Sequence, residues 1–512
     1  MMTRTAHRFA SSALLAALVS PLAAQTLTLD RVGGALGGLL TLPLQGQANE
    51  AYLVLFDTVE VSTPIPALGI TIDLAGTYAS YSFVFPTFVG TTNAAGAASV
   101  SITVPNDPLV IGQVISFQAI AGNQGGSGLY RTSNLVRLTA QAPGSFVPAL
   151  NQPSVPIVGG GTAAAPNNEL LFVGGSGPVA QRYKNRTEEW ELAGVSFGVG
   201  LLSQTTGLAD GRVLFTGGVD TAGQATTAAA VFDPVTQTTT TLTMAFPRAG
   251  HGASVMGNGK VLVTGGLQAF DLANPLTLLT GLQVTTEIFD PATNTFTPGP
   301  NMLEARALHT STTLTNGQVL IAGGISLLPI VNIPTVSSTA YRFNPTTNSF
   351  GLPAFMNGAR FLHTAAPLSN GRVLLVGGLT LDLSVFLTTL NVLDIIVGTR
   401  TDCQMFQAGL LGFGTFTTVN GMQVGRAGAA VAPLPNGGAL IAGGFQLQID
   451  AANSVLVANA TATADRFAQT PLGFTPTGAM AAPRLFPTTV NLPDGTIMVV
   501  GGGPTDAEIY QP

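Results

Sequence analysis

The sequence predicts an all-β protein with two domains, and three observations lead to this prediction. A Gly-Gly doublet follows a short apolar run seven times. The first glycines of the doublets are Gly174, Gly217, Gly265, Gly323, Gly377, Gly443 and Gly501. A turn dipeptide, mostly Asn-Gly or Asp-Gly, lies at the same distance before each doublet, with Asn167-Asn168 in the first copy. The chain before these repeats shows short β-type runs with a different spacing. A recurrent internal pattern indicates a repeat architecture, and the preceding segment therefore forms a domain of its own.

Each repeat is predicted to hold four strands. Asn-Gly and Asp-Gly suit the positive φ angles of a tight hairpin turn, so the first two strands flank the dipeptide and the second ends at the doublet. The third strand ends in an aromatic residue, as in Phe289-Asp290-Pro291, where Asp-Pro begins a type I turn. A fourth strand starts near a second aromatic residue, Phe296 in this copy. Four strands at a period of roughly 50 residues predict propeller blades, seven in number.

The two ends of the repeat region predict how the ring closes. The seventh copy ends at Ile509-Tyr510-Gln511-Pro512, before its fourth strand. The segment 145–150, just before the first copy, mirrors the fourth-strand segment 349–354 of copy four. We therefore expect residues 145–150 to supply the outer strand of blade seven and to shield its edge.

An arginine marks the first strand of five copies. It lies at a constant distance before the doublet, as Arg248 does before Gly265, whereas the first two copies have Ile157 and Gly200 there. Three of the arginines are followed three positions later by a histidine, at His251, His309 and His363. Together with the Gly-Gly and aromatic-Asp-Pro markers, this pattern resembles the Kelch repeat over about residues 145–512. The resemblance implies a seven-bladed Kelch β-propeller, spanning residues 143–512.

Residues 25–142 are predicted to form a β-sandwich, because short strands alternate with Pro, Gly and Asn clusters. The run Val104-Pro105-Asn106-Asp107-Pro108, with Phe117-Gln118 and Ser133-Asn134, is similar to a β module of secreted planctomycete-type bacterial proteins.

The N-terminus resembles a secretory signal peptide. Arg4 and Arg8 precede an apolar stretch at residues 9–19, and small residues follow up to Ala24. This stretch is too short to span a membrane, so residues 1–24 are predicted to be removed on export. We expect the mature protein to be secreted, at the cell surface or periplasmic, with no transmembrane span.

Composition limits the partners. Charged residues make up 9% of the 512 residues and the net charge is −6, which excludes nucleic-acid binding by neutralisation of the phosphate backbone. The single cysteine, Cys403, leaves no intrachain disulfide. The predicted partner is therefore a protein or a surface glycan, with no cofactor.

Catalytic interpretations have less support. The Kelch-built galactose oxidase family uses copper held by two histidines, two tyrosines and a cysteine cross-linked to a tyrosine. Here Tyr341 is the sole tyrosine between Tyr183 and Tyr510, and no Tyr-His pair exists. No hydrolase or zinc-protease motif appears. We predict no catalytic residue and no metal site. The alternative is a carbohydrate-active Kelch enzyme, galactose oxidase-like or sialic-acid mutarotase-like.

Long, apolar loops favour a binding function on one propeller face. The segment between the doublet and the third-strand aromatic is short in blades one and seven and longest in blades three to six. In blade five it runs from Gly378 to Phe406, and apolar residues predominate in its stretch 383–397. A contiguous apolar surface usually marks a contact. The alternative is that these loops pack on one another or on the N-terminal domain.

The predicted site residues are the repeat arginines at the propeller mouth. Arginine keeps its charge and its planar fork suits carboxylates, and the Kelch resemblance implies a role in binding acidic peptides. We expect an acidic or polyhydroxylated ligand to bind five residues: Arg248, Arg306, Arg360, Arg426 and Arg484. The competing interpretation is structural, with each arginine bridging neighbouring blades through backbone carbonyls.

Overall fold

The computed structural model divides the chain into two compact units, Met1–Ala140 and Gln141–Pro512. The boundary predicted from the sequence lies between residues 142 and 143, and the predicted signal peptide lies outside the described residues. The described residues are 26–122, 130–157, 161–165, 169–173, 179–195, 201–220, 223–268, 281–327, 334–382, 396–409, 413–450, 455–503 and 507–512. Within these ranges, none of the helices has the length and apolar character needed to cross a membrane.

The N-terminal unit is a β-sandwich of antiparallel strands. In one sheet β3 pairs with β1, β2 and β8, and in the other β9 joins β4, β10 and β11, with β7 beyond β4, while β5 and β6 form a separate hairpin. Its strands are β1 (Thr28–Leu29), β2 (Val32–Gly33), β3 (Leu39–Gln45), β4 (Ala51–Asp57), β5 (Thr63–Ile65), β6 (Ile70–Ile72), β7 (Val89–Thr91), β8 (Ala97–Thr103), β9 (Val114–Gly122), β10 (Tyr130–Thr132) and β11 (Val136–Thr139). Two short 3₁₀ helices span Ala79–Val84 and Pro108–Val110.

The two sheets share an apolar core. On β3, side chains alternate between buried and less buried, as period-2 patterning requires, and Leu40, Leu42 and Leu44 are buried. A Cβ added at Gly34 would contact both Leu40 of one sheet and Leu138 of the other. The predicted sandwich is therefore confirmed.

The second unit is a seven-bladed β-propeller in the described residues, as predicted. Listed from the inner to the outer strand, blade one contains β13 (Gly161–Ala165), β14 (Glu169–Val173), β15 (Val179–Lys184) and β16 (Glu189–Val195), and blade two contains β17 (Gln204–Gly207), β18 (Val213–Thr216), β19 (Ala228–Asp233) and β20 (Thr238–Thr243). Blade three contains β21 (Gly252–Val255), β22 (Val261–Thr264), β23 (Thr286–Asp290) and β24 (Thr295–Pro298). Blade four contains β26 (Thr310–Thr313), β27 (Val319–Ala322), β30 (Thr339–Asn344) and β31 (Ser349–Phe350), with β32 (Ala354–Phe355) beside β30.

Blades five to seven follow the same antiparallel order. They contain β33 (Thr364–Pro367), β34 (Val373–Val376), β37 (Cys403–Ala408) and β38 (Gly414–Val419); β39 (Ala430–Pro433), β40 (Ala439–Ala442), β43 (Ala464–Gln469) and β44 (Leu472–Pro476); and β45 (Thr488–Asn491), β46 (Ile497–Val500), β47 (Ala507–Tyr510) and β12 (Phe146–Pro148).

Additional strands extend from blades four to six. They are β25 (Arg306–Ala307), β28 (Ile325–Leu327), β29 (Pro334–Val336), β35 (Leu379–Asp382), β36 (Ile396–Thr399), β41 (Phe445–Asp450) and β42 (Val455–Ala460).

The ring closes as the sequence predicts. Strand β12 pairs antiparallel with β47, with Phe146 opposite Tyr510 and Val147 opposite Ile509. The Phe146 and Tyr510 ring centroids lie 4.8 Å apart, which reproduces the third-to-fourth-strand aromatic contact of Phe343 and Phe350 at 5.2 Å. The first blade-forming segment therefore completes the last blade without a covalent link.

Stability of the ring comes from apolar cores between blades. The second strands of blades two to seven are buried throughout, because each is covered by a neighbouring blade on both faces. One cluster joins Phe215 of blade two to Leu171 of blade one, and another joins Phe172 of blade one to Met498 of blade seven. Equivalent clusters lie between the other neighbouring pairs.

The hairpin turns confirm the expected glycine conformation. Gly259 has φ 81° and Gly317 has φ 78°. The N–H of Gly259 donates to Met256 O at 2.9 Å, and the N–H of Met256 donates to Lys260 O at 2.7 Å. Only the glycine of Asn258-Gly259 has positive φ, so the turn is a type I turn followed by a left-handed glycine.

Candidate functional site

The five predicted site arginines are buried inside their own blades. Each side chain is at most 1% exposed. In blade three, Nη1 of Arg248 donates to the carbonyl oxygen of Gly265 at 2.7 Å and to that of Thr285 at 2.9 Å. The other four arginines donate in the same way to Gly323, Gly377, Gly443 and Gly501 at 2.9 to 3.3 Å. Each guanidinium therefore connects the start of the first strand to the end of the second strand of its own blade.

A carboxylate accompanies every one of these arginines. The pairs are Arg248–Glu287 at 3.2 Å, Arg306–Glu304 at 2.9 Å, Arg360–Asp402 at 2.6 Å, Arg426–Asp465 at 2.6 Å and Arg484–Glu508 at 2.8 Å. Burial lowers the pKa of Arg248, and the carboxylate of Glu287 offsets part of that effect. The positive charge is thus neutralised within the blade.

This geometry corrects the prediction that the arginines form a ligand site at the mouth. Arg248, Arg306, Arg360, Arg426 and Arg484 have no exposed guanidinium to offer, and their planar forks are used by backbone carbonyls and carboxylates. Their constant distance from the doublet reflects a direct contact, because Nη1 binds the carbonyl of the first doublet glycine.

The competing interpretation, that the guanidinium bridges blades, is also corrected in one respect. The bond between blades comes from the main chain: the N–H of Gly266 in blade three donates to the carbonyl of Arg306 in blade four at 2.9 Å. The first glycine of the same doublet, Gly265, has φ 59°, and a Cβ there would collide with the same carbonyl. The doublet is therefore required by the close approach of the next blade.

The three repeat histidines connect neighbouring blades. Nε2 of His251 lies 2.8 Å from Thr216 Oγ1, and Nε2 of His309 lies 2.9 Å from Thr264 Oγ1, at the end of the second strand of the preceding blade. Nε2 of His363 lies 2.9 Å from Oγ1 of Thr310, at the start of the first strand of the preceding blade. Burial, followed by the charge of Arg248, lowers the pKa of His251 to about 3. Burial also lowers the pKa of His309 and His363 well below the ordinary value. All three rings are neutral at pH 7.

A cavity of about 230 Å³ lies at the channel end where the first strands begin. Its lining residues are Leu201, Leu202, Ser203, Gln204, Gly250, His251, Leu308, His309, Leu362, His363, Gly428 and Phe486. Leucine and phenylalanine give it apolar walls, and the three imidazoles with Ser203 and Gln204 give it polar groups. No charged side chain is among its described lining residues. We regard this cavity as the candidate functional site.

A ring of left-handed residues forms the edge of this cavity. They lie two positions after the five arginines and two positions after Gly200, and Leu202, Leu308 and Leu362 have φ 63°, 55° and 49°. Their N–H and C=O groups connect successive blades: Gly250 donates to Leu202 at 2.8 Å, and Leu308 donates to Gly250 at 2.8 Å. A non-glycine residue at positive φ costs about 1–2 kcal/mol. Such strained positions concentrate at functional sites.

The long loops of blades four to six form hairpins that pack on one another. Strands β28 and β29, β35 and β36, and β41 and β42 pair as three hairpins. Strand β29 contacts β35, and β36 contacts β41. Ile325, Leu379 and Phe445, one from each hairpin, share an apolar cluster with Leu308 and Phe486 of the cavity. Mutual packing, the alternative stated above, accounts for the described apolar part of these loops.

The comparisons with known proteins identify the fold. No family model matches the sequence, and no curated protein does. A structure titled a novel fungal alcohol oxidase of the AA5 family, in complex with copper, matches with TM-score 0.51 and 18% identity, over 72% of this chain and 75% of that chain. A structure titled YjhT has TM-score 0.46 and 16% identity, over 64% and 99% of the two chains. The first match shows that this chain shares its fold with that oxidase.

The residues of this chain do not fit a copper site of that type. Cys403 is buried in the apolar core between blades five and six, and burial raises the pKa of its thiol to about 12. The hydroxyl of Tyr341 donates to Glu304 at 2.8 Å. Among the described residues, no group of three His, Cys, Asp or Glu side chains is placed to hold a metal ion. Within the part of the chain that the structure describes, Tyr341 and Cys403 are thus engaged in other contacts, which leaves them unsuited to such a site.

Sequence reasoning missed the cavity. The residues that form its edge do lie at a fixed position in the repeat, two residues after the arginine or, in the second copy, after Gly200. They are Leu202, Gly250, Leu308, Leu362, Gly428 and Phe486. Leucine and phenylalanine do not indicate positive φ, so their role in the ring could not be recognised without the fold.

Proposed function

We propose that this is a secreted binding protein whose ligand occupies the cavity at the hairpin-bearing end of the propeller channel. The observation that carries the proposal is a neutral cavity with apolar walls and three buried imidazoles. Binding sites for small groups are concave, mostly apolar and equipped with a few placed polar groups. The proposed ligand is a neutral carbohydrate, or the end of one.

Polar side chains of blade two support a hydroxyl-bearing ligand. Ser203 and Gln204 line the cavity together with the three histidines. Nε2 of each imidazole contacts a threonine hydroxyl, and Nδ1 is buried, so the imidazoles contribute uncharged walls. The hydroxyl of Ser203 and the amide of Gln204 both donate and accept hydrogen bonds, as the hydroxyl groups of a sugar do.

The charge distribution favours a neutral ligand over the acidic one expected from the sequence. The imidazoles are uncharged because burial lowers the pKa of all three. The nearby arginines are paired with carboxylates. An anion would lose its hydration in the cavity without gaining a free positive charge.

The unequal loops support an approach from one side. The hairpins on blades four to six stand beside the cavity, whereas the corresponding loops of blades one and seven are the shortest of the ring. Leu201, Ser203 and Gln204, which line the cavity, belong to blade two. We propose that a chain-like ligand lies across the blades with short loops and places its end in the channel.

A pair of tryptophan variants tests the site. Ser203→Trp fills the cavity, and Val235→Trp places the same side chain on the exposed turn between β19 and β20 of the same blade. Binding is measured on an array of neutral and acidic glycans. We expect the Ser203 variant to lose glycans that the wild type and the Val235 variant bind, with equal melting temperatures. Equal binding by both variants, or exclusive binding of acidic glycans or peptides, contradicts the proposal.

Export has its own test. If the signal peptide is cleaved after Ala24, mass spectrometry of protein recovered outside the cytoplasm will find a mature chain that begins at Gln25. A retained N-terminus in the cytoplasmic fraction contradicts export.

A further inference from the structure

The N-terminal unit carries exposed aromatic residues within a long uncharged segment. Residues 74–106 contain no Asp, Glu, Lys, Arg or His. Within this segment, Tyr78, Tyr81, Phe83 and Val84 are 38%, 57%, 67% and 71% exposed. These four residues, on and beside the 3₁₀ helix Ala79–Val84, are called the aromatic patch. Exposed apolar groups scattered singly need no explanation, but contiguous large ones mark contacts.

Buried rings support the patch from below. The ring of Tyr78 stacks on Phe56 at 5.9 Å with an interplanar angle of 7°. Phe56 in turn contacts Phe88 at 6.0 Å and Phe117 at 6.4 Å, and both of these are buried. A continuous column of rings therefore runs from the core of the sandwich to the surface. Because this column fixes Tyr78 before binding, little conformational entropy remains to be lost there.

From this arrangement we propose that the aromatic patch binds a neutral polysaccharide chain, at a site separate from the propeller cavity. A sugar ring has an apolar C–H face and a rim of hydroxyl groups. A tyrosine offers the matching pair, an apolar ring and a polar hydroxyl. Thr77 lies beside Tyr78 with a further hydroxyl. The carboxylate of Asp57 lies near it but is buried, and it accepts hydrogen bonds from backbone N–H groups, including that of Thr77.

Because residues 74–106 carry no charged side chain, a neutral polysaccharide fits the patch better than an acidic polymer, a lipid surface or a protein. An acidic polymer or an anionic lipid surface requires Lys or Arg, and residues 74–106 have neither. Protein interfaces are enriched in arginine as well as aromatic residues and have a polar rim. The net charge of the chain, −6, also disfavours anionic partners.

The ring geometry selects a soluble chain over a flat crystalline surface. The rings of Tyr78 and Tyr81 lie 6.1 Å apart and are inclined at 53°. Two rings at this angle form a corner, which can contact two sides of one sugar unit or two units of a turned chain. A flat polymer surface would require coplanar rings.

The test is affinity electrophoresis of the full-length mature protein in gels that contain soluble neutral polysaccharides such as dextran, galactomannan or xyloglucan. Gels with alginate or chondroitin sulfate test an acidic polymer as the alternative ligand, and flotation with phosphatidylcholine vesicles tests a lipid surface. The patch variant is Tyr81→Ala/Phe83→Ala. The matched control is Leu109→Ala, which removes an 84% exposed side chain of the same unit. Ser203→Trp reports the propeller cavity.

We expect retardation by at least one neutral polysaccharide, weakened about tenfold by the patch variant and unchanged in the Leu109 variant. The Ser203 variant should still be retarded, which separates this site from the propeller site. A loss in the Ser203 variant alone assigns the binding to the cavity and overturns the patch proposal. Retardation by none of the neutral polymers, or binding only to charged polymers or vesicles, also overturns it.

Discussion

Blade one and blade three use different residues to hold the segment that leads into the first strand against the third strand. Blade three has buried Arg248 and Glu287, and Glu287 also accepts hydrogen bonds from the backbone N–H groups of Ala245 and Phe246. At the matching positions blade one has Ile157 and Gln181. Oε1 of Gln181 accepts from the N–H of Val155 at 3.1 Å, and its Nε2 donates to the carbonyl of Val155 at 2.8 Å. In both blades, a third-strand side chain therefore binds the backbone just before the first strand, at Ala245 and Phe246 in blade three and at Val155 in blade one.

Because blade one lacks both charges and blade three has both, we infer that the arginine and its carboxylate act as one unit. A buried ion pair is often replaceable by apolar residues at little cost, but loss of one partner leaves a buried charge without compensation. Blade two, with Gly200 and Ala230 at these positions, also lacks both charges. The bond between blades does not depend on the arginine: the N–H of Gly502 donates to the carbonyl of Ile157 at 3.0 Å.

The largest expected effect is the loss of an arginine from blade three. Arg248→Ile should lower the free energy of unfolding by about 3–5 kcal/mol, because Glu287 stays buried and unpaired. Ile157→Val in blade one should cost about 1 kcal/mol, since only one methyl group is removed. Urea denaturation measures both. A folded Arg248 variant with wild-type stability would contradict the structural role.

The doublet glycine offers a comparison with a turn glycine of the same blade. Both Gly259→Ala and Gly265→Ala carry the cost of positive φ, about 1–2 kcal/mol. A Cβ at Gly259 meets nothing within 4 Å, whereas at Gly265 it collides with the carbonyl of Arg306. Overpacking adds about 1–3 kcal/mol, so Gly265→Ala should be the more damaging change in thermal unfolding. Equal melting temperatures would contradict the close approach of the blades.

The buried histidines of blades three to five should make the free energy of unfolding sensitive to acid. Blade six should not contribute to this effect, because it has Ala429 at the histidine position. The pKa of His251 is about 3 in the folded protein and ordinarily about 6.5 in an unfolded chain. As pH falls below about 6.5 the unfolded chain binds the proton first, so stability decreases until pH reaches about 3. At pH 5 the loss is about 2 kcal/mol for this group.

The control for the histidine is His251→Gln, which retains a side chain able to contact Thr216. Its denaturation midpoint should change less than that of the wild type between pH 7 and pH 5. An identical pH dependence would show that His251 is not held neutral by burial.

The smallest effect distinguishes two carboxylates of neighbouring blades. Glu304 is 21% exposed, and Glu287 is 1% exposed. Water beside Glu304 therefore screens its ion pair with Arg306, whereas the pair of Glu287 and Arg248 is shielded from water. Glu304→Gln should cost about 1–2 kcal/mol, less than Glu287→Gln. The reverse order in chemical denaturation would contradict the burial difference.

The sequence predicts the ring well because its determinants are local. Phe146 could be assigned to the open blade because its neighbours repeat those of Phe350, and the structure pairs it with Tyr510. The arginine positions were likewise evident from their spacing to the doublets. These contacts join residues at fixed separations, so a repeat reveals them.

The arginine partners could be predicted only in part, because the carboxylate keeps one position in three of the five blades, at Glu287, Asp465 and Glu508, and not in the other two. Two positions before the third-strand aromatic, blade three has Glu287, but blade four has Tyr341 and blade five has Gln404. Blade four recruits Glu304 from before its first strand, and blade five uses Asp402. Without these pairs the arginines look like a cluster of free charges. Burial in the assembled ring decides between the two interpretations.

A double-mutant cycle in blade three is the most direct test of the central claim, that the arginine and carboxylate stabilise the blade as a unit. The variants are Arg248→Ile, Glu287→Gln and both together, which gives blade three the residues of blade one. Free energies of unfolding are measured in urea for all four proteins. We predict that the double variant is more stable than Arg248→Ile alone, with a coupling energy of about 2 kcal/mol. Additive losses, with the double variant the least stable of the four, would contradict it.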